Sequence, residues 1–145
     1  MPSFPSQPAS PARRRGLRAV TLLALASLSL SAAAAGDDRT VSLEQARADH
    51  EAGRVVLIDI REPHEHARGV ASGARLLPMQ QLDRRLAEIP KDASKPVYLI
   101  CNTQNRSSYT LSALRRMGGY DHVKFVQGGM SEWVRRGWPV VRPAS

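Results

Sequence analysis

With a single cysteine among 145 residues, the chain cannot close an internal disulfide. It must be held together by an ordinary hydrophobic core, and at this length there is room for about one such core. Aromatic residues are also scarce, at 5%. Nucleic-acid readers gather cations with aromatic platforms, whereas Arg75, Arg84, Arg85, Arg115, Arg116, Arg135 and Arg136 are spread along the chain. This pattern argues against nucleic acid as a partner. Long apolar runs are missing too, because the most apolar stretch, Val20 to Leu30, is shorter than the roughly 20 residues that span a bilayer. Of the four histidines, only His64 and His66 are spaced like a ligand pair. Beside Glu62 and Glu65 in a polar segment they are expected to be solvated, so neither a metal nor any other cofactor is expected.

The amino-terminal segment follows a different logic. Arg13, Arg14, Arg15 and Arg18 precede an uncharged Ala/Leu/Ser stretch from Ala19 to Ala35, the order of basic, apolar and small residues in a secretory signal. Arg14-Arg15-Gly16-Leu17 loosely resembles a twin-arginine signal, but Arg18 stands where that signal wants an apolar residue. The expectation is a cleavable signal peptide over residues 1–35 and a mature domain over 36–145. The protein is then exported, periplasmic, monomeric and not inserted in the membrane after cleavage. Without those four arginines the 21 basic residues fall to 17 against 13 acids, a net charge of +4. A lone thiol in an oxidising compartment is either buried and inert or kept for its reactivity.

The remaining sequence alternates short helical and extended patterns. Ser42 followed by Gln45 has capping-box spacing, which predicts a helix from Leu43 to Glu51 that stops at Gly53. Val55 to Ile60 and Pro96 to Ile100 are continuous apolar runs, predicting strands buried on both faces. Pro63 starts a helical turn, and Arg75-Leu76-Leu77 reads as a brief strand. Met79, Leu82, Leu86 and Ile89 share one helical face up to Pro90, and Leu111 and Leu114 another within a helix from Ser107 to Met117. Val123 to Val126 and Gly129 to Arg136 complete the series as strand and helix. The class is α/β, a small, mostly parallel sheet with helices on both faces. Ligands of such sheets bind beyond the carboxyl ends of the strands. That directs attention to Asp59–Arg61 and Cys101–Arg106.

Cys101 closes an apolar strand, and residues 102–107 can curl into a loop with a helix behind it. Inward backbone N–H groups and a helix dipole would stabilise a thiolate there. The alternative on the residues alone is a buried core cysteine at a strand end.

Four ordered segments go further. Asp59-Ile60-Arg61-Glu62-Pro63 with Glu65, Gly69 to Pro78, Cys101 to Ser107, and Gly128-Gly129 to Trp133 with Gly137-Trp138-Pro139-Val140 resemble the successive motifs of the rhodanese family. The resemblance covers Val41 to Val141. It implies that the Cys101 thiolate takes sulfur from a small-molecule donor such as thiosulfate and passes it to a thiol or cyanide. It also implies that the amides of Asn102, Thr103, Gln104, Asn105, Arg106 and Ser107 hold the persulfide, that Arg106 shapes the loop and attracts anions, and that Asp59 and Arg61 brace it, with Glu62 as one possible partner of Arg61. Trp133 is expected near the active-site rim. Rhodanese-like domains can also be non-catalytic modules, for which loss of the cysteine is the clearest sign. Cysteine-dependent phosphatases place five residues between cysteine and arginine; here there are four, a smaller ring suited to one sulfur. Three positions depart from the family pattern. Gln104 stands where glycine is frequent, which raises the question of positive φ in the loop; Val70 and Ser72 replace a frequent histidine and proline.

Overall fold

In the computed structural model, residues 37–144 are described; the signal-peptide reading of residues 1–35 lies outside them. Strand β2 (Val56–Asp59) and strand β4 (Val97–Ile100) form the centre, paired in parallel with Asp59 opposite Ile100. Their apolar runs are continuous because both faces are covered, and the alternation of side chains sorts them. Val97, Leu99 and Cys101 join Ile58 and Ile60 on one face; Tyr98 and Ile100 join Leu57 on the other.

Around this pair lie β1 (Thr40–Val41), β3 (Arg75–Leu76) and β5 (Val123–Val126), in the order β1-β5-β4-β2-β3, all parallel. β1 was not foreseen, since two residues show no alternation. It exists because β5 offers it an edge, with Val41 opposite Val126.

Helices α1 (Leu43–Glu51) and α5 (Gly129–Arg135) cover one face through Leu43, Ala46, Met130 and Trp133. Ser42 caps α1 by accepting from the Gln45 amide at 3.2 Å. Only that half of the predicted box forms, because the Gln45 side chain turns to Asp49 instead. Asp49 also accepts from the Tyr98 hydroxyl at 2.9 Å and so pins α1 to the central strand. Burial, then the bond to Asp49, push the Tyr98 phenol up to about 12.

The other face is covered by α4 (Asn105–Met117) and the segment before β4. That segment is not the single helix its periodicity predicts. It breaks into a 3₁₀ turn over Met79–Gln81, α3 (Leu82–Arg85) and a second 3₁₀ turn over Leu86–Glu88. At the second junction Arg85 turns back to the Leu76 carbonyl and to Gln81 while pairing with Glu88. Leu82, Leu86 and Ile89 still reach the core, so the period was right and its continuity was not.

The short helix α2 (Pro63–His66) follows β2. Val70, beyond it, forms an antiparallel bridge with Val141, which ties the segment around Val141 to this corner. No helix among the described residues is long and apolar enough to cross a membrane.

Candidate active site

Cys101 lies where β4 ends and is 1% exposed. Its Sγ is 3.5 Å from the Ser107 hydroxyl, which lies 3.1 Å from the Gln104 carbonyl as a second partner. While the hydroxyl donates to that carbonyl it can accept from the thiol; rotated, it can donate to a thiolate. Ser107 therefore suits both protonation states of the sulfur.

Three carbonyls of the loop are held by neighbouring amides. The Met130 amide donates to the Cys101 carbonyl and the Ser131 amide to the Asn102 carbonyl, each at 2.8 Å. The Gln104 carbonyl is taken by the Ser108 amide at 2.9 Å. Among the described residues, no protein acceptor takes a backbone N–H of residues 102–107. Three of these N–H groups open α4, where the dipole adds partial positive charge. The loop that follows Cys101 thus carries a run of backbone donors without protein acceptors, groups able to receive an anion.

Gln104 sits at φ −165° and ψ −8°, and no non-glycine residue among those described has positive φ. The loop therefore closes without the glycine that is frequent at this position in the family. The Gln104 side chain has a use of its own, accepting from the Gly128 amide at 3.1 Å.

Gly129 is the residue against which the loop rests. A Cβ there would lie 2.3 Å from the Thr103 carbonyl oxygen and 2.5 Å from that of Cys101, and its φ is +61°. Only glycine meets both demands.

Arg106 does not reach across the loop as a free cation. It forms a two-pronged pair with Glu65 of α2, Nη1 to Oε2 at 2.6 Å and Nη2 to Oε1 at 2.7 Å. Glu65 also accepts from the Glu62 amide at 3.0 Å. The Arg106 guanidinium holds the Glu65 carboxyl at about 2, well below its usual range. Because that pKa is lowered on folding, the pair's contribution is complete above the unfolded value of 4.5 and is lost as pH falls toward 2. Glu65→Gln is expected to cost about 1 kcal/mol near neutrality, given partial exposure of the pair, with the gap to the parent closing between about pH 5 and about pH 2. Urea unfolding across that range checks it; a gap independent of pH would rule out this origin.

Asp59 and Arg61 stand beside the loop without a hydrogen bond to Cys101. The Asp59 carboxylate accepts from the Arg61 side chain at 2.7–3.0 Å and from the Arg61 amide at 3.0 Å. Arg61 also donates to the Gly69 carbonyl at 2.8 Å. Glu62 is not its partner. Burial pushes the Asp59 carboxyl up, but the neighbouring His66 imidazole and the Arg61 guanidinium outweigh it and hold the carboxyl below its usual range. This pair fastens the turn that carries α2, and hence Glu65, against Arg106.

Two expectations are corrected here. His66 is not in a solvated loop: it is 4% exposed, with Nε2 3.4 Å from Asp59 but poorly aligned for a hydrogen bond. The short α2 turns His66 inward and leaves His64 exposed. Trp133 is not on the rim either, because α5 presents it to the core, where it packs edge-on against Trp138 and donates to the Pro139 carbonyl. Among the described residues no three metal-ligating side chains gather as a metal would need.

A buried thiol at the carboxyl edge of a parallel sheet, followed by a loop of unpaired amides and a helix start, is the feature that sets this α/β domain apart. Comparison with known proteins supplies the family: the model of the rhodanese-like domain matches residues 42–136. The chain belongs to the rhodanese-like family. A protein of Allochromatium vinosum named a sulfurtransferase is 41% identical over 102 residues, covering 70% of this chain and 91% of that one. A rhodanese-related protein from Thermoplasma volcanium superposes with a TM-score of 0.63 at 25% identity, covering 72% of this chain and 99% of that one. A Rhodopseudomonas palustris protein described as a possible tyrosine phosphatase shares the fold, with a TM-score of 0.60 at 24% identity, over 71% of this chain and 84% of that one.

Proposed function

We propose that the protein is a sulfurtransferase that carries a sulfane sulfur as a persulfide on Cys101. The observation that supports it most is the row of backbone N–H groups from Asn102 to Ser107, left without protein acceptors in the loop that follows the buried Cys101. In the first step the thiolate attacks the outer sulfur of thiosulfate. The donor's S–S bond breaks, sulfite leaves with the electron pair, and the new terminal sulfur lies among the amides. In the second step a thiolate or cyanide attacks that terminal sulfur, and the Cys101 thiolate leaves. Separate half-reactions of this kind give ping-pong kinetics. With no second cysteine in the chain, the discharging nucleophile must come from outside. We propose further that the protein works as an exported, periplasmic monomer, its thiol shielded from oxidation by burial.

Intact-mass measurement after thiosulfate treatment tests the chemistry. The expected result is a gain of one sulfur that cyanide removes and that Cys101→Ala abolishes. No adduct on the parent protein would favour a non-catalytic binding module.

A further inference from the structure

The charge around the loop bears on which donors it accepts, given the sulfur-transfer reading above. Cys101 is buried and takes only the donor's outer sulfur, so the part of the donor that is not transferred extends outward past the side chains of the rim. Those of Asn102, Thr103, Gln104 and Asn105 are exposed and uncharged. The one cation on the loop, Arg106, has both terminal nitrogens on Glu65, and the Cys101 sulfur and the Glu62 carboxylate both act on it as well. Asp59 and Arg61 are buried and cancel each other. Glu62, Glu65 and Arg106 together leave the rim with an excess of one negative charge.

We propose that the Glu65–Arg106 pair makes this rim selective for donors with a weakly charged leaving portion, organic persulfides with uncharged substituents, over the dianion thiosulfate.

The charge balance of the reaction shows why. Attack on thiosulfate brings a thiolate and a dianion together, three negative charges in all, and must release dianionic sulfite past the two carboxylates. Attack on a perthiol, R–S–S–H, breaks its S–S bond, forms the Cys101–S–S–H persulfide with the proton retained on the terminal sulfur, and releases R–S⁻ with the electron pair. That transfer carries a single negative charge throughout. Even in its deprotonated form such a donor carries one charge fewer than thiosulfate. Like charges held at short range in a partly buried rim are weakly screened, so the difference falls on the transition state. Glu65 is thus a specificity-determining positioning residue: it acts by occupying Arg106, without touching the reacting sulfur.

The test measures kcat/KM with cyanide as acceptor for two donors, thiosulfate and the persulfide of N-acetylcysteine methyl ester. The readout is the ratio of the two values, because intrinsic donor reactivity cancels when variants are compared. Glu65→Gln frees Arg106 and keeps an acceptor for the Glu62 amide; it is expected to raise the thiosulfate-to-perthiol ratio about tenfold. Arg106→Gln leaves both carboxylates unopposed and is expected to lower the ratio by a similar factor. A purely structural role would depress both donors in parallel. Should either variant fold poorly, Thr103→Lys places a free cation on an exposed position and is expected to raise the ratio. Unchanged ratios in folded variants that still form the persulfide would overturn the selectivity. If the parent protein forms no persulfide from either donor, the sulfurtransferase reading itself fails.

Discussion

Alanine at position 129 is expected to destabilise the protein by about 3 to 4 kcal/mol and to abolish persulfide formation on Cys101. The sum has two physical parts. Holding a side chain at positive φ costs about 1–2 kcal/mol, and prising the loop from α5 breaks two buried backbone hydrogen bonds worth about 1 kcal/mol each. The clash cannot be relieved by a side-chain rotation, because the atoms within 2.3–2.7 Å of the new Cβ all belong to the backbone of Cys101, Asn102 and Thr103. The loop must move, and its carbonyls lose Met130 and Ser131. Gly53→Ala is the control: its φ is +67° but nothing lies within 4 Å, so it should lose stability through strain alone and keep its activity. Urea denaturation and intact-mass measurement decide the matter. A Gly129→Ala protein that acquires sulfur as readily as the parent would contradict the role given to this contact.

Removal of the Asp59 carboxylate should be as damaging, for a different reason. Asp59→Ala strands the Arg61 guanidinium, 5% exposed, with only the Gly69 carbonyl. Leaving a buried charge unpaired costs about 3–5 kcal/mol. Asp59→Ala with Arg61→Met removes both charges and is expected to recover most of the loss. The pH dependence follows from the lowered carboxyl. Its stabilisation is fully present above the ordinary carboxylate range and disappears as pH falls through the lower folded value. The deficit of Asp59→Ala is therefore greatest near neutrality and shrinks in acid. A loss below about 1 kcal/mol at pH 7 would show that solvent reaches this pair.

Much of this architecture is legible in the chain itself, and the exceptions have a common cause. Val56–Asp59 and Val97–Ile100 declare themselves because strands covered on both faces are uniformly apolar. Ser42, Gly53 and Gly118 mark helix boundaries by local chemistry. β1 escaped because its two residues become a strand only when β5 arrives. The α4 start at Asn105, two residues ahead of the expected Ser107, depends on loop closure rather than on apolar spacing. At the site, Cys101 and residues 102–107 were identifiable, but Arg106 carries no sign of its partner, since Glu65 lies far away in sequence and the two meet only through the fold. The segment containing Glu65 was recognised, yet its role was not. Gly129 likewise belonged to a visible glycine pair, whereas its contact with the loop is purely tertiary.

The loop that presents Cys101 is completed from behind by residues 128–131, which are made later than the cysteine. During synthesis the thiol emerges well before the backbone that shapes its surroundings. A chain ending ahead of Gly128 would contain every residue of the loop and neither of the amides, those of Met130 and Ser131, that hold the Cys101 and Asn102 carbonyls. The chemistry is thus tied to completion of the polypeptide: a broken or unfinished copy keeps a cysteine but lacks the enclosure that gives that cysteine its purpose.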